Sequence, residues 1–284
     1  MTQASTSMLE TVRGLPEQTL THTMRNPRSA SDRTFRGAKL FDYVVAAGIL
    51  PAKMGGGALA DGYFVVTAED GARTIVALAE VWPNASAKDV ILAYEQDGEP
   101  VRGGAGLRLV LTGDGLAGRS LGGVVNIELR QVKDKATHHD VRTVGMVQLT
   151  GLVDRPGPID LSNTPTTDVE TVAASGHGGQ PIAPRTYTGA RLYELLDSAG
   201  IQLTPGVNDD FLRKVVVVRS ADGHAVVIAG GELHPSFMNG DVILATSREG
   251  GALEDGEGVR LIVPFDMKPG RWAKDIVSVE LREG

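Results

Sequence analysis

The sequence predicts an α+β protein made of two tandem copies of one domain. Three observations carry this expectation. The 284-residue chain repeats itself at an offset of 152, so that Thr34–Ile49 (TFRGAKLFDYVVAAGI) returns as Thr186–Ile201 (TYTGARLYELLDSAGI). Asp70-Gly71 returns as Asp222-Gly223, Asp89–Ala93 as Asp241–Ala245, and Glu128-Leu129-Arg130 as Glu280-Leu281-Arg282. About one position in three is identical between 34–130 and 186–282, with no gap. Second, each copy holds many β-rich runs and one or two helical ones. Third, the length suits two domains, each large enough to bury a core without staples.

Taken in order, Gln18–Met24 reads as a short strand, and Asn26–Arg33 (NPRSASDR) as a loop, with Pro27 and several serines. Leu40–Ala47 is apolar at a helical period, and Gly48 follows where a helix end favours positive φ. Leu192–Ala199 and Gly200 repeat this arrangement. Tyr63–Ala68 and Thr74–Leu78 flank Asp70-Gly71, a hairpin signal; Lys214–Arg219 and Ala225–Ala229 flank Asp222-Gly223 in the same way. Val90–Glu95, Leu107–Leu111 and Val124–Leu129 read as further strands.

Gln131–Val144 (QVKDKATHHDVRTV) is the most polar stretch and holds the linker. The first repeat is therefore assigned to 1–133, the linker to 134–144 and the second repeat to 145–284. Val147–Leu161 (VQLTGLVDRPGPIDL) opens the second repeat with a strand and a proline-rich turn. The first repeat shows no counterpart of that opening strand.

Composition narrows the function classes. A net charge of −7 supplies no basic field for nucleic acid or an acidic membrane. A local anion pocket stays open. No apolar run approaches the length of a transmembrane helix, and MTQASTSMLETV shows no export signal. With no cysteine, disulfides, thiolate metal sites and cysteine nucleophiles are all excluded.

Several short motifs lack their structural context. Gly113–Gly118 matches G-x-G-x-x-G, and Gly118–Gly122 matches G-x-S-x-G, but each is followed by a predicted loop and strand instead of a helix. Gly55-Gly56-Gly57 has no following Lys-Ser/Thr. His22 and His177 occupy matching loops of the two repeats, and His138-His139-Asp140 lies in the linker. His22, His139 and His177 are the candidate metal ligands, although no pair has the i, i+4 spacing of a helical metal site and solvated loop histidines are the commoner reading of such a pattern. Trp82, Tyr94, Tyr187, Phe237 and Trp272 suit either a pocket for a planar ligand or the core.

Together, LTGLVDRPGPIDL, Y-T-G-A-R-L-x-E-L-L-x-x-A-G and DVILAYEQDGEPVRGGAGLR (Asp89–Arg108) resemble the molybdopterin-binding domain of the sulfite oxidase family. The resemblance spans nearly all of both repeats. It implies two copies of that family's α+β fold, with mixed sheets and a few short helices. It implies molybdopterin as the cofactor to test and a molybdopterin-dependent oxidoreductase as one activity. It also implies an anion site at Arg108 and Arg260, with Arg119, Arg271 and Lys274 near the last strand. Arg108 and Arg260 could equally pair with Glu128 or Glu280. The family's metal-ligating cysteine is missing: the matching loops Thr21–Arg33 and Ala173–Arg185 hold His22, Thr23 and Met24, and Ser175, Gly176 and His177. Direct cysteine-ligated molybdenum is therefore excluded. Exported relatives in the family imply a periplasmic location, with the cytoplasm as the alternative.

The leading expectation is a binding protein without a catalytic set. It would capture a small anionic, pterin-like or metal-bound ligand, and its partners would be such small molecules. The alternatives are the cysteine-free oxidoreductase and a ligand-free scaffold.

Overall fold

Strands dominate both halves of the computed structural model, which describes residues 3–26, 28–50, 58–86, 88–132, 145–176, 179–238, 240–254 and 258–284. The first half begins with α1 (Gln3–Arg13), then β1 (Glu17–Asn26), β2 (Ser29–Lys39), α2 (Leu40–Ala46) and α3 (Ala58–Asp61). It continues with β3 (Gly62–Ala68), β4 (Arg73–Ala77), α4 (Leu78–Val81), β5 (Val90–Gln96), β6 (Glu99–Pro100), β7 (Arg108–Leu111) and β8 (Val124–Gln131). The second half opens with β9 (Met146–Gly151), β10 (Gly157–Asp160), β11 (Thr167–Glu170), β12 (Ala174–Ser175) and β13 (Pro181–Ile182). Then come β14 (Thr186–Arg191), α5 (Leu192–Ala199), β15 (Lys214–Ser220), β16 (Ala225–Ala229) and α6 (Gly230–Leu233). It closes with β17 (Ile243–Arg248), β18 (Gly251–Ala252), β19 (Arg260–Ile262) and β20 (Ile276–Glu283).

The α+β expectation of two copies of a mixed-sheet fold is corrected. Strands account for 45% of the protein and helices for 18%, and the small antiparallel sheets are arranged like a four-bladed propeller. The helices are too short to make a layer: α2 has 7 residues and α5 has 8. Most of the apolar runs are strands buried along nearly their whole length, paired with neighbours in antiparallel sheets. The sheet orders are β1-β2-β5-β6 with β7 on β5, β4-β3-β8, β10-β9-β20-β15-β16, and β11-β14-β17-β18 with β19 on β17; β12 and β13 form a separate pair. No sheet among the described residues crosses from one half to the other.

Strand positions repeat at the offset of 152: β3, β4 and β8 match β15, β16 and β20 residue for residue. The front edges differ. β9 pairs in parallel with β20, whereas the first half has α1, whose Met8 and Val12 join the core of that half. The expected loop Asn26–Arg33 is also corrected. Apart from the turn, it is paired strand, with Asn26 opposite Ser29 and Arg25 opposite Ala30. Polar side chains stabilise it locally: the Asn26 side-chain Oδ1 accepts from the backbone N–H of Arg28 and Ser29, and the Thr23 hydroxyl donates to Asp32 at 2.6 Å.

The glycine shared by the opening repeat motif has a steric cause. Gly37 and Gly189 sit beside bulges where β2 meets β5 and β14 meets β17. A Cβ on Gly37 would stand 2.1 Å from the Leu92 carbonyl oxygen, and one on Gly189 2.2 Å from that of Leu244. Gly37→Ala is expected to lower stability by about 1–3 kcal/mol, because the clash is with backbone. Urea denaturation measures it, and an unchanged midpoint would contradict the close approach.

The two halves meet through a self-complementary face. Tyr63, Val65, Ile75 and Ala77 pack with Val215, Val217, Val227 and Ala229, which are their own counterparts at the offset of 152. Two hydrogen bonds cross in matching positions: Gly115 N to Phe237 O at 2.6 Å, and Met267 N to Ala85 O at 3.0 Å. Such reciprocity is the geometry of a twofold dimer interface, enclosed here within one chain.

Candidate anion-binding cleft

Arginines that look alike in the sequence fall into two environments. Arg119 and Arg271 are fully buried. Arg119 bonds both oxygens of Asp114 at 2.6–2.7 Å and both of Glu80 at 2.9–3.0 Å. Arg271 repeats this with Asp266 at 2.7–2.8 Å and Glu232 at 2.9–3.0 Å. Their forks are therefore filled by the protein's own carboxylates. Lys88 breaks the symmetry. Its ammonium pairs with Glu80 and lies 5.8 Å from the Phe265 ring, while its counterpart in the other repeat is Gly240.

This asymmetry sets the protonation pattern. Burial alone would raise Glu80, but Arg119 and Lys88 outweigh it and hold the carboxyl at about 2. Burial raises Glu232, only partly offset by Arg271, and the Glu80 charge adds to the rise. Asp266 is raised chiefly by burial as well.

Arg108 is in the other environment. It lies at the start of β7, held by one bond from Nη1 to the Ser120 carbonyl oxygen at 3.0 Å, and its Nε is buried with no hydrogen-bond partner. Burial lowers its pKa, and no carboxylate offsets the effect. Arg108 lines two adjoining hollows, of about 480 and 240 Å³, which share Arg33, Gln96 and Arg108. The larger adds Asp97, Glu99 and Arg102; the smaller adds Met24, Arg25, Asn26 and Ser31. The β1–β2 hairpin forms one wall and the β5–β6 turn the other. That turn is pinned by Asp97, which accepts from Thr34 N at 3.0 Å and from Arg33 at 2.9 Å. Four arginines thus face two carboxylates. Among the described residues no carboxylate pairs with Arg25, Arg102 or Arg108.

The second repeat shows what the same place looks like when a carboxylate is built in. Arg102 corresponds to Glu254, and Gln96 to Arg248. Glu254 bonds Arg248 at 2.7 Å, and that bond, with the charges of Arg248, Lys274 and Arg260, holds its carboxyl below the ordinary range. Arg260 also lies over the Tyr187 ring at 5.8 Å. Arg260 and Lys274 therefore gather around an internal anion, while Arg108 and its neighbours surround open space.

Glu128 pairs with Arg130 and Glu280 with Arg282, and among the described residues no ion pair joins Arg108 to either glutamate. His22 lies on β1 opposite Arg33, and burial lowers its pKa. His139 and His177 lie outside the described residues. Among the described residues no group of three metal-ligating side chains forms. Four of the five aromatics pack: Trp272 donates to the Val263 carbonyl oxygen at 2.8 Å, Trp82 stacks edge-on against Phe41, and Tyr187 and Phe237 are buried, whereas Tyr94 donates to Glu17 at 2.6 Å with Arg13 and Arg36 each 5.6 Å from its ring. Sequence reasoning missed Arg25, Arg33 and Arg102. The available signal was the change from Arg102 to Glu254 at equivalent positions of the two repeats.

No family model matches the chain, and no curated protein matches it. No helix among the described residues is long and apolar enough to cross a membrane.

Proposed function

We propose that the protein is a ligand-binding protein whose first repeat captures a small anionic ligand, pterin-like or metal-bound, in the cleft around Arg108. The single observation behind this reading is the contrast at one position. Glu254 supplies a carboxylate to the basic cluster of the second repeat, and Arg102 supplies none to the first. A half-buried guanidinium without a counter-charge costs stability, and an external oxyanion removes that cost by pairing with its fork. Phosphate and carboxylate both suit the fork geometry. The pterin-like part of the reading rests on the motif resemblance alone. With no cysteine, the chain offers a metal centre no thiolate, so a metal complex would be held through its anionic groups.

Titration calorimetry with inorganic phosphate and with a pterin monophosphate tests the proposal. The native protein should bind one equivalent. Arg102→Glu copies the second repeat and should weaken binding at least about tenfold, since it places the anion in cis. Unchanged affinity in that variant, or no heat from either ligand, would refute the assignment.

A further inference from the structure

The closing strands of the two halves occupy matching places but have different neighbours. On its inner side β8 pairs with β3, as β20 pairs with β15. On its outer side β20 receives β9 in parallel, from Ser278 opposite Gln148 to Leu281 opposite Gly151. Leu152 N also donates to the Leu281 carbonyl oxygen at 2.9 Å, so the backbone groups of Leu281 point outward. By the same geometry those of Leu129 point outward, and at period two so do those of Ile127 and Gln131. Among the described residues no strand adds to this side of β8, and the sheet ends there. Asn126 and Glu128 are exposed and Leu129 is half-buried, whereas their counterparts Ser278 and Glu280 are half-buried and Leu281 is fully buried. The edge carries no proline, lysine or bulge over Asn126–Gln131; α1 packs beside β8 but, as a helix, offers its backbone groups no ladder partner.

We propose that this edge joins two copies of the chain, β8 pairing antiparallel with β8 of a second copy across a twofold axis at Leu129. The residue pattern specifies the occupant and the register. With Leu129 opposite Leu129 of the second copy, Ile127 falls opposite Gln131, so all the outward backbone groups face partners. The same register sets Glu128 opposite Arg130 twice, by symmetry. Glu128 and Arg130 already bond each other within the strand at 3.0 Å, both well exposed, so each reaches its counterpart in the second copy without a new side chain being buried. The result is one continuous six-stranded sheet, β4-β3-β8 of each copy. The second half cannot substitute, because β9 already occupies its edge.

Sedimentation equilibrium of the full chain between about 1 and 100 µM tests this. The native protein should pass from monomer to dimer in that range. Glu128→Arg sets like charges opposite each other at both symmetric positions and should weaken the dimer at least about fivefold. Adding Arg130→Glu should restore it to within about twofold. Hydrogen exchange gives an independent measure: the amides of Ile127, Leu129 and Gln131 should be protected in the dimer and exchange fast in the monomer. A native protein that stays monomeric at the top concentration would overturn the proposal. So would a dimer indifferent to Glu128→Arg, or a charge swap that fails to restore association while the thermal melt stays native.

Discussion

Arg271→Ala is expected to cost about 3–5 kcal/mol of stability. The guanidinium holds two carboxylates, Glu232 and Asp266, each at most 2% exposed, with four hydrogen bonds of 2.7–3.0 Å. Removing it leaves two buried like charges with no counter-ion of their own, and breaking a buried pair in this way carries a penalty of about that size. For a chain of this length the melting midpoint should fall by about 10 °C. The loss should shrink in acid. Glu232 and Asp266 already sit above the ordinary carboxylate range and would rise further without Arg271, so the folded variant takes up protons that the unfolded chain does not. Stability of the variant therefore falls as pH rises through the raised values. Glu80 in the native protein has the opposite sign. Its carboxyl is held at about 2 against an ordinary 4.5, so its contribution is present above 4.5 and lost as pH falls towards 2. Urea denaturation of both proteins from acid to neutral pH resolves the two slopes. A variant whose deficit is the same at every pH would show that charge is not the cause.

Arg108→Ala should do the reverse, weakening anion binding by about ten- to a hundredfold while moving stability by less than about 1 kcal/mol. A charge-assisted hydrogen bond is worth about 1.5–3 kcal/mol, which sets the range in affinity. The native guanidinium has one protein hydrogen bond, to the Ser120 carbonyl oxygen, and a pKa lowered by burial, so its removal takes little from the fold. Arg260→Ala should leave affinity for phosphate unchanged, because the cluster around Arg260 already contains Glu254. Calorimetry and a thermal melt on the two variants separate the roles. Equal stability losses with equal affinity would place Arg108 among the structural arginines.

Much of the local structure was legible along the chain. The offset of 152 located each hairpin twice, and Gly48 and Gly200 marked helix ends with φ of 68° and 83°. The fold class was not legible. The apolar runs read as strands are strands, but which strands join in one small sheet depends on pairing between segments far apart in the chain. The hairpin at Asn26–Ser29 was read as loop because serine and proline signal a turn. The cross-strand bonds that extend the pairing as far as Asn26 depend on partners across the turn.

The sequence by itself determined that this protein is a duplication, that it carries no thiol chemistry, and that arginines recur at matching places in both halves. Only the tertiary structure decided what each arginine does. Arg108 and Arg119 are 11 residues apart and equivalent in composition. Arg119 meets Glu80, 39 residues away, across the packed interior, and is neutralised there. Arg108 meets a carbonyl oxygen and open space. A guanidinium's role is set by the charges within a few ångströms of it, and those arrive from distant positions that no spacing along the chain records.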